Sequence, residues 1–198
     1  MERGIDVSQY QGKIDWQAVK GSGITFAIIR ASVCKPGGIL KVDTRFAENW
    51  AGAREAGILR GAYHYLRQEA EGQARFFVDT VGDDRPELGY WADLECSSLT
   101  LEKCEAFCAA VHRNSGERAG IYTRASFFDR FGDAPWASDH RLWVAHWGAK
   151  SPRLPWAWDT WEIWQHSDCG RVPGIKGAVD LDWRISDGNG EENGINQE

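Results

Sequence analysis

Residues 88–95 read Leu88-Gly89-Tyr90-Trp91-Ala92-Asp93-Leu94-Glu95 (LGYWADLE), an apolar run that closes on two carboxylates two positions apart. In an extended strand alternate side chains share a face, so Trp91, Asp93 and Glu95 point one way and Ala92 and Leu94 the other. A charged carboxylate among apolar neighbours is destabilising unless it is paired or does chemistry. The stretch therefore reads as a strand that delivers acids to a site at its carboxyl end. Similar runs flank it. Gly4–Tyr10, Thr25–Ala31 and Leu59–Leu66 precede Leu88–Leu94, and Ala119–Thr123, Leu142–His146, Trp161–His166 and Ala178–Trp183 follow, which predicts eight strands.

Helical patterns fill the early gaps. Asp15 caps a predicted helix Trp16–Lys20 that Gly21 closes, and Asp43 or Thr44 caps one running through Glu55 and Ala56 to Gly57, with Phe46, Trp50 and Ala53 on its apolar face. Glu69–Val81, a stretch starting at Thr100 with Phe107 and Val111 on one face, and Ala125–Phe131 give three more. Trp16, Trp50 and Phe107 fit helix faces and are assigned to the core.

The spacing of the strands decides the architecture. Successive starts lie 21, 34, 29, 31, 23, 19 and 17 residues apart. A parallel crossover needs a strand plus about a dozen residues or more, usually helical. The last intervals barely hold that, and Pro135, Pro152 and Pro155 oppose long helices there. The expected fold is α/β, an irregular TIM-like barrel of five β/α units followed by three strands with few helices. Residues 1–186 form the barrel and residues 187–198 an acidic flexible tail.

Composition agrees with one globular domain of 198 residues, 42% apolar and 26% charged. No apolar run approaches the ~20 residues of a membrane span. The net charge of −6 argues against nucleic-acid binding, which would normally show a basic face, and four of those negative charges sit in the tail as Asp187, Glu191, Glu192 and Glu198. Five cysteines (Cys34, Cys96, Cys104, Cys108 and Cys169) include no CxxC pair, so a zinc site has little support. They read as small buried side chains, with a disulfide among them as the alternative. Eleven tryptophans in so short a chain stand out, because a sugar cleft uses both the flat face and the N–H of Trp.

Closing the barrel makes the first and last strands neighbours. Asp6 in the first and Asp180 in the last then meet on a wall facing Asp93 and Glu95 of the fourth, at the carboxyl end where such barrels carry their sites. Alone, each acid could be structural, Asp93 capping a turn or Asp6 pairing with Arg30; a divalent cation is another reading of clustered oxygens. Together, crowded carboxylates raise the pKa of at least one member, which leaves a protonated acid beside ionised partners. Glycoside hydrolysis uses that pairing. Tyr63, Tyr122 and Trp147, at or just past strand ends, could stack on sugar rings. Arg30 is placed beside the acids, and Gln165 suits a sugar hydroxyl. Each aromatic alone reads equally well as a packed core ring. His64, His146 and His166 lack metal-like spacing. No metal or cofactor is expected.

The order of these motifs resembles glycoside hydrolase family 25, the Chalaropsis-type muramidases, over about residues 4–183. The resemblance rests on Gly4-Ile5-Asp6-Val7-Ser8-Gln9-Tyr10-Gln11-Gly12; Phe46, Asn49-Trp50, Ala56-Gly57 and Gly61-Ala62-Tyr63-His64-Tyr65; Asp93-Leu94-Glu95; Gly120-Ile121-Tyr122-Thr123; Leu142 to Trp147; Trp164-Gln165; and Gly174-Ile175, Gly177 and Val179-Asp180-Leu181. It implies a flattened barrel and hydrolysis, with retention, of the β-1,4 bond between N-acetylmuramic acid and N-acetylglucosamine. Glu95 would be the general acid/base, Asp93 would stabilise charge or orient the acetamido group, and Asp6 and Asp180 would shape the opposite wall. The intermediate is either a glycosyl-enzyme or an oxazolinium formed by the substrate's own acetamide. The partner implied is bacterial peptidoglycan, met by a monomer, with no nucleic acid or membrane. Action at the cell wall is implied, and the lack of a basic, then apolar, leader at the start fits a phage or prophage lysin held in host cytoplasm until release, or a secreted enzyme shown without its signal. After the second strand the family commonly reads Ala-Thr-Glu-Gly, whereas this chain has Ala31-Ser32-Val33-Cys34-Lys35-Pro36-Gly37-Gly38. The rival readings are a catalytically silent sugar-binding barrel, a metal-dependent hydrolase and a chitinase-like enzyme.

Overall fold

The computed structural model describes residues 1–68 and 70–185, so the predicted tail lies outside the described residues. Nine strands and five α-helices follow one another as β1 (Glu2–Val7), α1 (Trp16–Gly21), β2 (Phe26–Lys35), β3 (Ile39–Val42), α2 (Phe46–Glu55), β4 (Leu59–Tyr65), α3 (Glu71–Val81), β5 (Tyr90–Asp93), α4 (Leu101–Ser115), β6 (Gly120–Thr123), α5 (Ala125–Phe128), β7 (Leu142–Ala145), β8 (Ile163–Gly170) and β9 (Val179–Arg184). The barrel runs β1-β9-β8-β7-β6-β5-β4-β2 and closes where β2 pairs in parallel with β1. Five β/α units come first, and the last three strands are joined without an α-helix, as the shortening intervals predict. Within the closed ring only β9 runs antiparallel to its neighbours. Its amino-terminal half therefore lies at the end where the other strands finish, and Asp180 faces Asp6 in the register.

The alternation read from 88–95 separates two cores. Trp91 lies inside the barrel with Phe26, Ile28, Tyr63, Trp143 and Ile163. Ala92 and Leu94 face outward into the larger core beneath the helices, with Phe77 of α3 and Phe107 of α4. On α4 the buried positions Cys104, Phe107, Cys108 and Val111 follow helical spacing, so these two cysteines pack as small apolar groups. Four of the five cysteines are buried and Cys169 is exposed.

The barrel floor is filled by two tryptophans set edge to face, Trp91 and Trp143, with ring centroids 6.0 Å apart. Trp91 fits because Gly120 has no side chain: a Cβ there would stand 2.3 Å from the indole. Gly120→Ala is therefore expected to lower stability by about 1–3 kcal/mol through overpacking. Gly21→Ala, at an open helix end with nothing within 4 Å, should leave the melting temperature nearly unchanged. Thermal denaturation of the two variants checks this, and equal melting temperatures would contradict it.

The structure corrects three local readings. The first strand ends at Val7 rather than Tyr10, because Ser8 and Gln11 form a reciprocal cap that turns Gln9–Gln11 into a 3-10 helix. The stretch after the second strand is not a plain loop. β2 runs on to Lys35, turns at Gly37 and Gly38, both with positive φ, and returns as β3. Neither Asp43 nor Thr44 caps α2, whose N-cap is Arg45. Asp43 is instead drawn into the interior by Arg30, whose Nε donates to Oδ2 at 2.7 Å.

Candidate active site

Backbone hydrogen bonds on both sides hold the 93–95 segment. Leu66 N–H donates to the Asp93 carbonyl, Leu94 N–H donates to the Tyr122 carbonyl, and the Thr123 hydroxyl donates to the Leu94 carbonyl. Two residues past the end of β5, Glu95 thus emerges at the barrel mouth. There Asp93, Glu95, Arg30, Tyr63, Tyr65 and Arg67 line a pocket of about 390 Å3. Across the barrel, Gln165 of β8 orders the other wall. Its Nε2 donates to Asp6 Oδ2 at 2.7 Å, while its Oε1 accepts from the Tyr122 hydroxyl and from Trp147 Nε1, each at 2.9 Å. The Gln165 amide is therefore engaged by protein groups on both sides.

Three strands, β1, β5 and β9, bring the four acids within electrostatic reach of one another. Burial pushes Asp6 well above the usual carboxylate range, and Asp180 and Asp182 push the same way. Asp93 is likewise held well above it, by burial and then by Glu95, against the pull of Arg30. Burial raises Glu95 despite Arg124 and Arg67. Asp180 is pushed up to about 6, again by burial first, with Asp168 and Glu95 adding to it. The sequence argument rested on mutual repulsion. Burial ranks first at every one of these acids, because the barrel wall removes water before the charges meet. Tyr122 stands among all four: after burial, its phenol is raised by Glu95, Asp93, Asp6 and Asp180.

The candidate aromatics divide. Tyr63 and Tyr122 are buried against Trp143, whereas Trp147 is 47% exposed, able to offer a ring face to a ligand. Arg30 reaches the cluster only through space. Its hydrogen-bonded partner is Asp43, and its guanidinium lies over Tyr10, 5.0 Å from the ring centroid.

Three residues around the acid cluster went unread in the sequence. Asp182, buried and raised well above the usual range by desolvation, accepts a hydrogen bond from Trp143 Nε1 at 2.9 Å. Its spacing of two from Asp180 was the available signal. Arg67 and Arg124 flank Glu95, and lying outside strands they carried no periodic signal. Among the described residues no group of three or more His, Cys, Asp or Glu side chains is arranged to hold a metal ion, and no helix is long and apolar enough to cross a membrane.

Known proteins share this fold. Lysozyme M1 of Streptomyces globisporus is 36% identical over 198 residues, covering 90% of this chain and 66% of that protein. The autolytic lysozyme of Clostridium acetobutylicum is 30% identical, covering 91% and 55% respectively. The chain thus spans between about half and two thirds of the length of these curated relatives. The crystal structure of a bacterial lysozyme from Streptomyces coelicolor superposes with a TM-score of 0.79 at 31% identity, over 93% of this chain and 92% of that one. The family model for glycosyl hydrolases family 25 matches residues 5–175, from the first strand to the segment before the last, and the chain belongs to that family.

Proposed function

We propose that the protein is a muramidase that hydrolyses the β-1,4 bond between N-acetylmuramic acid and N-acetylglucosamine in bacterial peptidoglycan, with retention, and so opens the cell wall. The observation that carries this reading is the half-buried, raised Glu95 carboxyl, gathered with acids from three other strand positions around one mouth. A carboxyl whose protonated form is favoured by desolvation can donate to the leaving glycosidic oxygen, a step worth about 10²–10⁴ in rate. In the second half-reaction the Glu95 carboxylate takes a proton from the attacking water and is restored. Asp93 stabilises the positive charge that develops on the sugar or orients the acetamido group. Asp6 and Asp180, with Gln165, define the opposite wall, and Tyr63, Tyr122, Trp147 and Arg30 border the sugar. The protein acts as a monomer on the wall outside the cytoplasmic membrane.

Mass spectrometry of fragments released from purified peptidoglycan and reduced with borohydride tests this reading. Reduced N-acetylmuramic acid at the new ends is expected. Reduced N-acetylglucosamine would assign the other glycosidic bond, release from chitin oligomers alone would favour a chitinase, and no release with retained wall binding would leave a silent sugar-binding barrel. Loss of release on adding EDTA would favour the metal-dependent reading.

A further inference from the structure

Next to the acid cluster, the segments that follow β6 and β7 enclose a second pocket of about 290 Å3, lined by Arg124, Ser126, His146, Trp147 and Arg153. Two contacts tie it to the reacting centre. Trp147 donates to the same Gln165 amide that holds Asp6, and Glu95 feels the charge of Arg124.

The polar groups of this pocket are of one kind. Arg153 Nη2 binds Asp129 at 2.8 Å, while its backbone N–H donates to His146 Nδ1 at 2.8 Å. That bond leaves the proton of the imidazole on Nε2, as a donor. Ser126 adds a hydroxyl. Arg124, an exposed side chain at the pocket rim, differs from the ion-paired arginines of the barrel. Arg30 is paired with Asp43, Arg60 with Asp84 and Glu87, and Arg141 with Glu162. Among the described residues the Arg124 guanidinium has no hydrogen-bond or ion-pair partner. On a chain of net charge −6, the pocket lining holds two guanidiniums and no carboxylate, and with Arg153 paired to Asp129 its unpaired positive charge is that of Arg124. Planar guanidinium forks match carboxylates, and the exposed Trp147 ring supplies an apolar face beside them.

We propose that Arg124 is a specificity-determining residue and that this pocket takes a carboxylate borne on the 3-O arm of a muramic acid residue. The inference deepens the muramidase reading and rests on it. The hydroxyls and acetamides of the glycan are neutral, so a carboxylate is the group that distinguishes a wall strand from a chitin-type strand at this position. It is the lactyl carboxylate itself in a peptide-free strand, or a stem-peptide carboxylate where a peptide is attached.

The test compares wild type, Arg124→Gln and Arg124→Lys on peptide-free glycan strands and on peptide-bearing strands, each strand type beside its own carboxyl methyl ester. Wild type is expected to prefer the free acid over the ester by about tenfold or more in kcat/KM, the size of one charge-assisted hydrogen bond. Arg124→Gln should bring that ratio near one, and Arg124→Lys should restore part of it. Using the ratio cancels any change in Glu95 titration caused by losing Arg124, since the same acid serves both substrates. The strand type that shows the effect identifies the carboxylate. A ratio that Arg124→Gln leaves unchanged on both strand types overturns the proposal. Wild type cleaving none of the strands overturns the muramidase reading itself, and this inference with it.

Discussion

Glu95→Gln is expected to fold as the parent does and to lose about 10²–10⁴ of its turnover, because an amide of the same shape cannot protonate the leaving oxygen. Glu95 sits at the mouth rather than in the packed floor, and burial already disfavours its charge. Removing that charge therefore leaves the melting temperature at or above that of wild type. Clearing of purified walls, with circular dichroism as the control for folding, separates the two effects. A folded variant that keeps more than a few percent of wild-type clearing would remove Glu95 from the role of acid.

Asp93→Asn should lower turnover by about 10²–10³, the loss that follows removal of one preorganised stabilising group. It should also raise stability, with a distinctive dependence on pH. The Asp93 carboxyl is buried, its Oδ1 has no hydrogen-bond partner among the described residues, and burial followed by the Glu95 charge holds its pKa well above the usual range. For a carboxyl raised in the folded state, the unfolded chain releases its proton first. The contribution to stability is full below the unfolded value of about 3.9 and is lost as pH rises through the folded value. Asparagine does not titrate. The melting temperature of Asp93→Asn should exceed that of wild type by a margin that widens from pH 4 upward. A margin that stays flat with pH, or unimpaired turnover, would contradict the placement of Asp93 as a buried, strained partner of Glu95. The expected pattern, lower activity with higher stability, follows from holding a carboxylate where a neutral side chain would rest more easily.

Much of the architecture is legible in the chain because its signals are local. The two-residue alternation of Trp91, Asp93 and Glu95 against Ala92 and Leu94 marks the inner and outer faces of β5, and the structure sorts the side chains into inner and outer cores along that line. The shortening strand intervals separate the five β/α units from the three strands that close the ring. Asp15 caps α1 as its position suggests, its Oδ1 accepting from Ala18 N–H. Asp43 shows the limit of such reasoning. Its position before α2 reads as a cap, yet a buried guanidinium thirteen residues earlier in the chain claims its carboxylate. An ion pair in a site shielded from water is stronger than a cap on the surface, and nothing local announces it.

What the sequence determined by itself was periodicity: which positions share a face, how many crossovers fit, and which acids sit at strand ends. What only the tertiary structure decided was company. The antiparallel run of β9 sets Asp180 against Asp6 and brings in Asp182 beneath them, and closure places Arg67 and Arg124 beside Glu95 and puts Gln165 between Tyr122, Trp147 and Asp6. The physical reason is range. Alternation and capping act between neighbours a few residues apart, whereas desolvation and charge coupling depend on which distant segments exclude water from the same few ångströms.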